Sequence, residues 1–133
     1  MISFVVFDFD GVFNDGKFYF NNESILSKSY SSKDVFSLKM LKNKNIKTGI
    51  ITNDNLLSLS NAQIINERID KYYDKGDKCK LDVLNDWINE LGISYNEVAY
   101  IGDDLPDIPI LNKVKISACP NDAVQEVKSI CNY

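Results

Sequence analysis

Acidic and polar residues stand directly after three short apolar runs of the sequence. Asp8 and Asp10 follow the first run, Thr52 and Asn53 the second, and Asp103 the third. If the runs are parallel strands, their carboxyl ends meet at one edge of a sheet, where ligands bind. Carboxylates packed this closely repel one another unless a cation lies between them, and oxygen ligands suit Mg²⁺. The spacing therefore predicts a magnesium site at this edge.

The two aspartates after the first run could divide the work of phosphoryl transfer between them. Asp8, at the strand end, can attack phosphorus in line and form an aspartyl phosphate. Asp10, two residues on, points to the same side of an extended backbone and can protonate the leaving oxygen, then activate water. Magnesium would bridge Asp8, Asp103 and a phosphoryl oxygen. Lys80 begins the helix before the third run and could supply a positive charge opposite the metal.

Each of these residues also has a purely structural interpretation. Asp8 and Asp10 could cap the following helix, although acidic groups at the end of a buried strand cost folding energy unless they are paired or bind a metal. Lys80, considered alone, could be an ordinary solvated lysine.

The composition excludes several classes of protein. The 133 residues include no histidine, which excludes a serine or cysteine nucleophile activated by histidine. The net charge of −4, without a dense basic stretch, argues against a nucleic-acid partner. Three cysteines without CxxC spacing favour neither a zinc site nor a disulfide framework. No apolar run is long enough for a membrane span and the N-terminus lacks signal-peptide features, so we expect a cytoplasmic protein with no membrane partner.

The alternation of apolar runs with helical periodicity predicts an α/β fold. Strands are predicted over residues 2–7, 48–51, 98–101 and 115–119, and helices over 34–44, 56–66 and 81–91. Gly92 would end the third helix, and Asn121 would cap a last one. Together these elements predict one Rossmann-like domain over residues 1–133, with a parallel sheet and helices on both faces.

A segment over about residues 12–30 interrupts this alternation. Two short apolar stretches flank a polar turn at residues 21–23, which predicts a β-hairpin inserted after the first strand. A small monomer has little reason to expose the apolar side chains of this segment. They are Phe13, Phe18, Phe20, Ile25 and Leu26.

These motifs resemble those of the haloacid dehalogenase superfamily. Residues 7–12, Phe-Asp-Phe-Asp-Gly-Val, resemble its first motif, and Ile51 with Thr52 resembles its second. Lys80 resembles the third motif, and residues 102–107, Gly-Asp-Asp-Leu-Pro-Asp, resemble the fourth. All four stand in the family's order.

The resemblance implies a role for each site residue. Asp8 would be the nucleophile and Asp10 the general acid/base, a second aspartate that the superfamily's phosphatases carry and its dehalogenases lack. The Mg²⁺ ligands would be Asp8, Asp103 and the backbone carbonyl of Asp10. Three further residues would bind phosphate: Thr52, Asn53 and Lys80. Three others would support the site: Gly11, Asp104 and Asp107. Asp107 would do so by orienting the metal shell or Lys80.

Residues 10–16 and 98–104 further resemble a small-capped subgroup that contains phosphatases of 3-deoxy-manno-octulosonate 8-phosphate and of nine-carbon keto-sugar acids. The likeness extends over residues 4–123. It implies a small phosphorylated metabolite as substrate, a sugar phosphate of surface-polysaccharide biosynthesis, and a homotetramer formed through the hairpin. The chain departs from the subgroup in three places. Residues 52–54 are Thr-Asn-Asp where the subgroup has Thr-Gly-Arg, and residues 33–35 are Lys-Asp-Val where it has Arg-Asp-Gly. The sequence also ends before the glycine-containing tail of the relatives.

These departures leave alternatives open. The substrate could be another small phosphorylated metabolite, such as an amino-alcohol phosphate. The domain could instead be a weakly active oligomerisation module associated with a nucleotide-sugar synthetase, or it could pass phosphate to an alcohol rather than to water.

Overall fold

A computed structural model describes residues 1–23, 25–53, 65, 67–74 and 76–133. Its main sheet has five parallel strands in the order β5-β4-β1-β6-β7. The strands are β1 (Phe4–Phe7), β4 (Lys47–Ile51), β5 (Lys71–Tyr73), β6 (Val98–Ile101) and β7 (Ile116–Ala118). The four predicted strands and the parallel sheet are confirmed. The edge strand β5 was not predicted, because its sequence, Lys-Tyr-Tyr, is too short to form an apolar run.

The helices are α1 (Ser32–Asn43), α2 (Lys80–Leu91), α3 (Ile108–Leu111) and α4 (Gln125–Lys128), with 3₁₀ turns at Tyr95–Glu97 and Leu105–Asp107. Gly92 ends α2 with a left-handed φ of 64°, as predicted. The predicted cap at Asn121 is wrong, because α4 begins only after Val124, whose backbone is extended. The helix predicted over residues 56–66 lies almost entirely outside the described residues.

Helices cover both faces of the sheet, because successive side chains of a strand point to opposite faces and both sets are buried. Phe4 and Val6 of β1 pack in one cluster with α2, α3 and α4. Phe7 packs on the opposite face with the cluster that includes Val35 and Leu38 of α1. The predicted arrangement of helices on both faces is therefore confirmed. Among the described residues, no helix combines the length and the apolar character needed to cross a membrane.

Two short strands, β2 (Tyr19–Phe20) and β3 (Ile25–Ser27), pair antiparallel after β1. Phe18 and Phe20 of this segment are 40% and 73% exposed. The side chains of Ile25 and Leu26 lie outside the described set. Phe13 was wrongly expected among the exposed residues: it is 3% exposed, because its ring packs against those of Phe7 and Phe9 at 5.3 and 5.7 Å between centroids.

The strand order places a crevice beside the central strand. From β1 the chain moves to β4 and β5 on one side of the sheet, then returns to β6 on the other side. Connections that leave in opposite directions open a gap above the carboxyl ends of the two strands between which the order reverses, here β1 and β6. The predicted site residues come directly after the strands that end at this crevice.

Candidate active site

Most of the predicted site residues line one cavity of about 260 Å³ at the carboxyl edge of the sheet. Asp8 comes directly after β1, Thr52 after β4, and Asp103 shortly after β6. The full lining is Asp8, Asp10, Gly16, Phe18, Thr52, Asn53, Lys80, Asp103, Asp104 and Pro106. Seven of these were predicted as site residues. The other two predicted residues, Gly11 and Asp107, lie beneath the lining.

Lys80 lies at the floor of the cavity in a double ion pair. Its Nζ is 3.0 Å from Oδ1 of Asp8 and 2.7 Å from Oδ1 of Asp107, and the lysine is only 5% exposed. The backbone N–H of Phe9 also donates to Oδ1 of Asp8, at 2.7 Å. The interpretation of Lys80 as a solvated lysine is therefore wrong. A buried ammonium held this way is available to a phosphate that reaches Asp8.

Asp107 is completely buried and organises its neighbours. Oδ1 accepts hydrogen bonds from Lys80 Nζ and from the Tyr100 hydroxyl, the latter at 2.6 Å. Oδ2 accepts from the backbone N–H groups of Asp103 and Asp104, at 3.0 and 3.2 Å. Since both oxygens are occupied by donors of this chain, Asp107 positions Lys80 and the loop after β6 rather than offering itself as a ligand.

The donor set fits a hard divalent cation. Asp8, Asp103 and Asp107 each offer a carboxylate oxygen, and these oxygens lie within 4.8 Å of one another. With Asp107 occupied by hydrogen bonds, Asp8 and Asp103 are the two carboxylates of this group that could bind such a cation. Oxygen ligands, with water completing the shell, are what Mg²⁺ prefers.

The electrostatics of this group point the same way. Burial raises the pKa of the Asp8 carboxyl to about 8, more than the adjacent Lys80 lowers it, and Asp107 adds to the rise. The pKa of Asp103 is raised too, first by burial and also by the carboxylates of Asp107 and Asp104, although a hydrogen bond with Asp8 lowers it. Burial lowers the pKa of the Lys80 ammonium, but Asp8 and Asp107 outweigh it and the net direction is upward. The pKa shifts of the two aspartates come first from burial, with repulsion from other carboxylates as a smaller cause, and a divalent ion between them would favour their ionised forms.

Gly11 is needed because the backbone passes directly beneath Asp103. It has a φ of 85°, and a Cβ built there would lie 1.8 Å from Oδ2 of Asp103. A side chain at this position would therefore displace the carboxylate of Asp103. Asp104, in contrast, is exposed and caps the following turn by accepting the N–H of Leu105.

Asp10 is held from two sides. Oδ1 accepts from the side-chain amide of Asn14 at 3.1 Å, and Oδ2 pairs with Lys28 Nζ at 2.7 Å. Asp10 also lines the cavity together with Asp8. The arrangement thus presents two aspartates to one space, one held by a lysine from α2 and the other by a lysine from the hairpin.

A haloacid dehalogenase-like hydrolase family model matches residues 33–115, which is more than half of the chain. The chain belongs to this family. Its parallel sheet and the order of its motifs agree with that assignment.

The chain is similar to 3-deoxy-D-manno-octulosonate 8-phosphate phosphatase of Salmonella typhi, with 32% identity over 127 residues. That match covers 92% of the chain and 64% of the relative, so the chain spans less than two thirds of the length of the curated enzymes it matches.

Two solved hydrolases of this family have closely similar folds. A probable YrbI family phosphatase of Pseudomonas syringae superposes with a TM-score of 0.90 at 32% identity. The match covers 98% of the present chain and 73% of the phosphatase chain. The 3-deoxy-D-manno-octulosonate 8-phosphate phosphatase of Moraxella catarrhalis superposes with a TM-score of 0.89 at 28% identity. This match covers 99% of the present chain and 75% of the phosphatase chain. That second structure contains magnesium, phosphate and the sugar acid.

Sequence reasoning missed three residues of this hydrolase site: Lys28, Tyr100 and Asn14. Lys28 lies in the predicted hairpin, where a lysine normally faces solvent. Tyr100 lies within the strand predicted over residues 98–101 and was given no role in the site. Asn14 gave a weak signal, because Asn followed by Asp-Gly is typical of a tight turn close to Asp10.

Proposed function

We propose that this chain is a Mg²⁺-dependent phosphatase that hydrolyses a phosphomonoester of a small metabolite through an aspartyl phosphate on Asp8. The observation that carries the proposal is the set of contacts around Asp8. Its carboxylate ends the central strand, lines the cavity, contacts Lys80 at 3.0 Å and lies within 4.8 Å of Asp103.

The contacts of Asp8 suit a nucleophile. The Phe9 N–H and Lys80 both hold Oδ1, so the direction of the carboxylate is fixed before substrate arrives. Lys80 also places a positive charge where the phosphoryl oxygens would lie, and Thr52 and Asn53 line the same cavity with neutral donors. Asp8 would attack phosphorus as the ester oxygen departs.

Asp10 would complete both half-reactions. It faces the same cavity and would give its proton to the departing oxygen, which leaves it ionised. The same carboxylate would then take a proton from the water that attacks the aspartyl phosphate, releasing phosphate and restoring Asp8. When bound between Asp8 and Asp103, with the Asp10 carbonyl as a further ligand, Mg²⁺ would offset the negative charge on the phosphoryl oxygens.

For the substrate, we propose a sugar phosphate similar to 3-deoxy-octulosonate 8-phosphate, of the kind used in surface-polysaccharide biosynthesis. The support is the similarity to the phosphatases of Salmonella typhi and Moraxella catarrhalis that act on that compound. Asn53 lines the cavity where the subgroup has glycine before an arginine, so other small phosphorylated metabolites, including amino-alcohol phosphates, belong in the same test.

For the assembly, we propose a homotetramer formed through the hairpin, with no nucleic-acid or membrane partner. The support is the exposed aromatic surface of the hairpin, where Tyr19 and Phe20 are 56% and 73% exposed. Light scattering coupled to size-exclusion chromatography tests it: the chain should elute as a tetramer, and Phe20→Ser should shift it towards smaller species. A cytoplasmic location stays a prediction.

The proposed activity is tested by phosphate release from a panel of esters, with and without Mg²⁺. The panel holds eight- and nine-carbon keto-sugar acid phosphates, hexose and pentose phosphates, and amino-alcohol phosphates. We expect Mg²⁺-dependent release from one class, none from Asp8→Asn, and ordinary release from Asp15→Asn, a matched change at a half-exposed carboxylate of the same loop. No release from any ester, by a folded chain that still binds Mg²⁺, would refute the proposal and favour an oligomerisation module.

A further inference from the structure

The connection between β5 and α2 contacts one group of the phosphate-binding residues and leads directly into the other. It starts at Tyr73, the last residue of β5, whose backbone carbonyl accepts the N–H of Thr52 at 2.9 Å. It ends at Lys80, the first residue of α2. Residues 74 and 76–79 of this connection are described, and at Gly76 it passes directly against Asn53. One short segment therefore joins the lysine at the floor of the cavity to the two polar residues that follow β4.

Gly76 makes the close approach to Asn53 possible. Its φ is 72°, in the left-handed region, and a Cβ built there would lie 2.6 Å from the backbone oxygen of Asn53. That separation is shorter than van der Waals contact, and the atom met belongs to the backbone rather than to the end of a flexible side chain. A side chain at position 76 would therefore move either the connection or the backbone of Asn53.

The connection is restrained at several points. The Tyr73 hydroxyl donates to the carboxylate of Asp77 and accepts the N–H of Lys78 at 3.1 Å. At its far end, Lys80 is fixed by the double ion pair at the floor of the cavity. Because these contacts hold the connection in place, we expect a methyl group at position 76 to shift the Asn53 backbone.

We propose that the β5–α2 connection is a positioning element that sets how far the Thr52–Asn53 segment lies from Lys80, and thereby how tightly the site binds a phosphoryl group. Gly76 and Tyr73 are its positioning residues. This inference rests on the proposed function, in which the segment and the lysine both bind phosphate. A wrong separation loses hydrogen bonds to a charged group, which are the strong ones.

The metal ligands should not depend on this element. Asp8 follows β1 and Asp103 follows β6, whereas Thr52 and Asn53 follow β4, beside β5. A change in the connection should therefore weaken the binding of phosphate and leave the binding of Mg²⁺ unchanged.

Gly76→Ala tests the inference, with Gly92→Ala as the matched control. Gly92 has a comparable φ of 64°, but a Cβ built there meets nothing within 4 Å, so the control carries the backbone strain without the contact. For Gly76→Ala we expect the Kd of inorganic phosphate, measured by calorimetry with saturating Mg²⁺, to rise about tenfold, and the KM for p-nitrophenyl phosphate to rise with it. The Kd of Mg²⁺ without phosphate should be unchanged, and Gly92→Ala should match the wild type in all three.

The outcomes separate this inference from the function on which it rests. A purely structural role for Gly76 would reduce the amount of folded enzyme, which lowers kcat but leaves KM and the Kd of phosphate unchanged. That result, or equal effects of the two glycine substitutions, would overturn the inference while leaving the phosphatase intact. A wild-type chain that hydrolyses neither p-nitrophenyl phosphate nor any ester of the panel would refute the proposed function and, with it, this inference.

If Gly76→Ala does not fold, Tyr73→Phe carries the test. It removes the hydroxyl that restrains the connection and introduces no new contact. The Kd of phosphate should rise about three- to tenfold, whereas Tyr72→Phe, at a 45% exposed neighbour in the same strand, should leave it unchanged. An unchanged Kd of phosphate in Tyr73→Phe would overturn the inference.

Discussion

Lys80→Met removes the ammonium that lies between Asp8 and Asp107 while keeping an unbranched side chain of similar length. In the wild type this ammonium is 3.0 Å from one carboxylate and 2.7 Å from the other, at a site where the lysine is 5% exposed. Its loss leaves two buried carboxylates without their shared cation. Removing one partner of a buried ion pair costs about 3–5 kcal/mol, which for a chain of this length lowers the melting temperature by roughly 10–20 °C.

The cost of Lys80→Met should depend on pH with a definite sign. The pKa of Asp8 in the folded protein, about 8, lies above its ordinary value of 3.8, so the folded state binds more protons than the unfolded state between these values. Stability of the metal-free protein therefore falls as pH rises through that window. Without Lys80 the pKa of Asp8 rises further, so the difference in stability between variant and wild type should be smaller near about pH 5 than above about pH 8. Mg²⁺ should reduce it.

Thermal and urea unfolding at several pH values, with and without Mg²⁺, measure this effect, and phosphate release measures its functional side. The loss of one fixed charge at the phosphate should lower kcat by about 100- to 1000-fold. Lys78→Met is the matched control: Lys78 lies two residues earlier in an exposed ion pair with Asp86, so stability and activity should stay near the wild-type values. A Lys80→Met protein as stable as the wild type above about pH 8, or equally destabilised at every pH, would refute the reasoning.

Two further substitutions test the support around the site. Gly11→Ala should weaken Mg²⁺ binding by about 10- to 100-fold in titration calorimetry, because the new methyl group would displace Asp103. Gly92→Ala, at a comparable φ of 64° but with open space around the site, should leave Mg²⁺ binding unchanged, and equal effects of the two would contradict this account. Tyr100→Phe should lower the free energy of unfolding by about 1–2 kcal/mol in urea, since it removes one donor to the buried Asp107. Its kcat should fall less than that of Lys80→Met, and a larger fall would place Tyr100 closer to the chemistry.

The parts of the fold that could be predicted are those fixed by local patterns. Apolar runs mark β1, β4, β6 and β7 because both faces of a parallel sheet are buried, and the acidic residues at their ends follow from the same topology. The edge strand β5 escaped prediction because its three residues, one lysine and two tyrosines, contain no aliphatic side chain to mark an apolar run. The cap of α4 was misplaced because a turn continues past Asn121 up to Val124.

The contacts that complete the site depend on tertiary packing and could not be read from sequence. Lys28 and Asp10 are 18 positions apart and meet only because the hairpin folds back over the end of β1. Phe13 was misjudged for a related reason: it belongs to the chain segment before the hairpin, but its ring stacks into the core beside Phe9. A supporting role could be predicted for Asp107, whereas its four hydrogen-bond donors are brought together only by the folded structure.

The central claim is that Asp8 carries the phosphoryl group during turnover. It is tested most directly by acid-quenching the enzyme during turnover with Mg²⁺ and a hydrolysed ester, followed by peptide mass spectrometry after mild reduction of any acyl phosphate. The account predicts that the modification maps to Asp8, that Asp8→Asn shows none, and that Asp8→Asn releases no phosphate. Full Mg²⁺-dependent turnover by Asp8→Asn, or a phosphoryl group found on another residue, would contradict it.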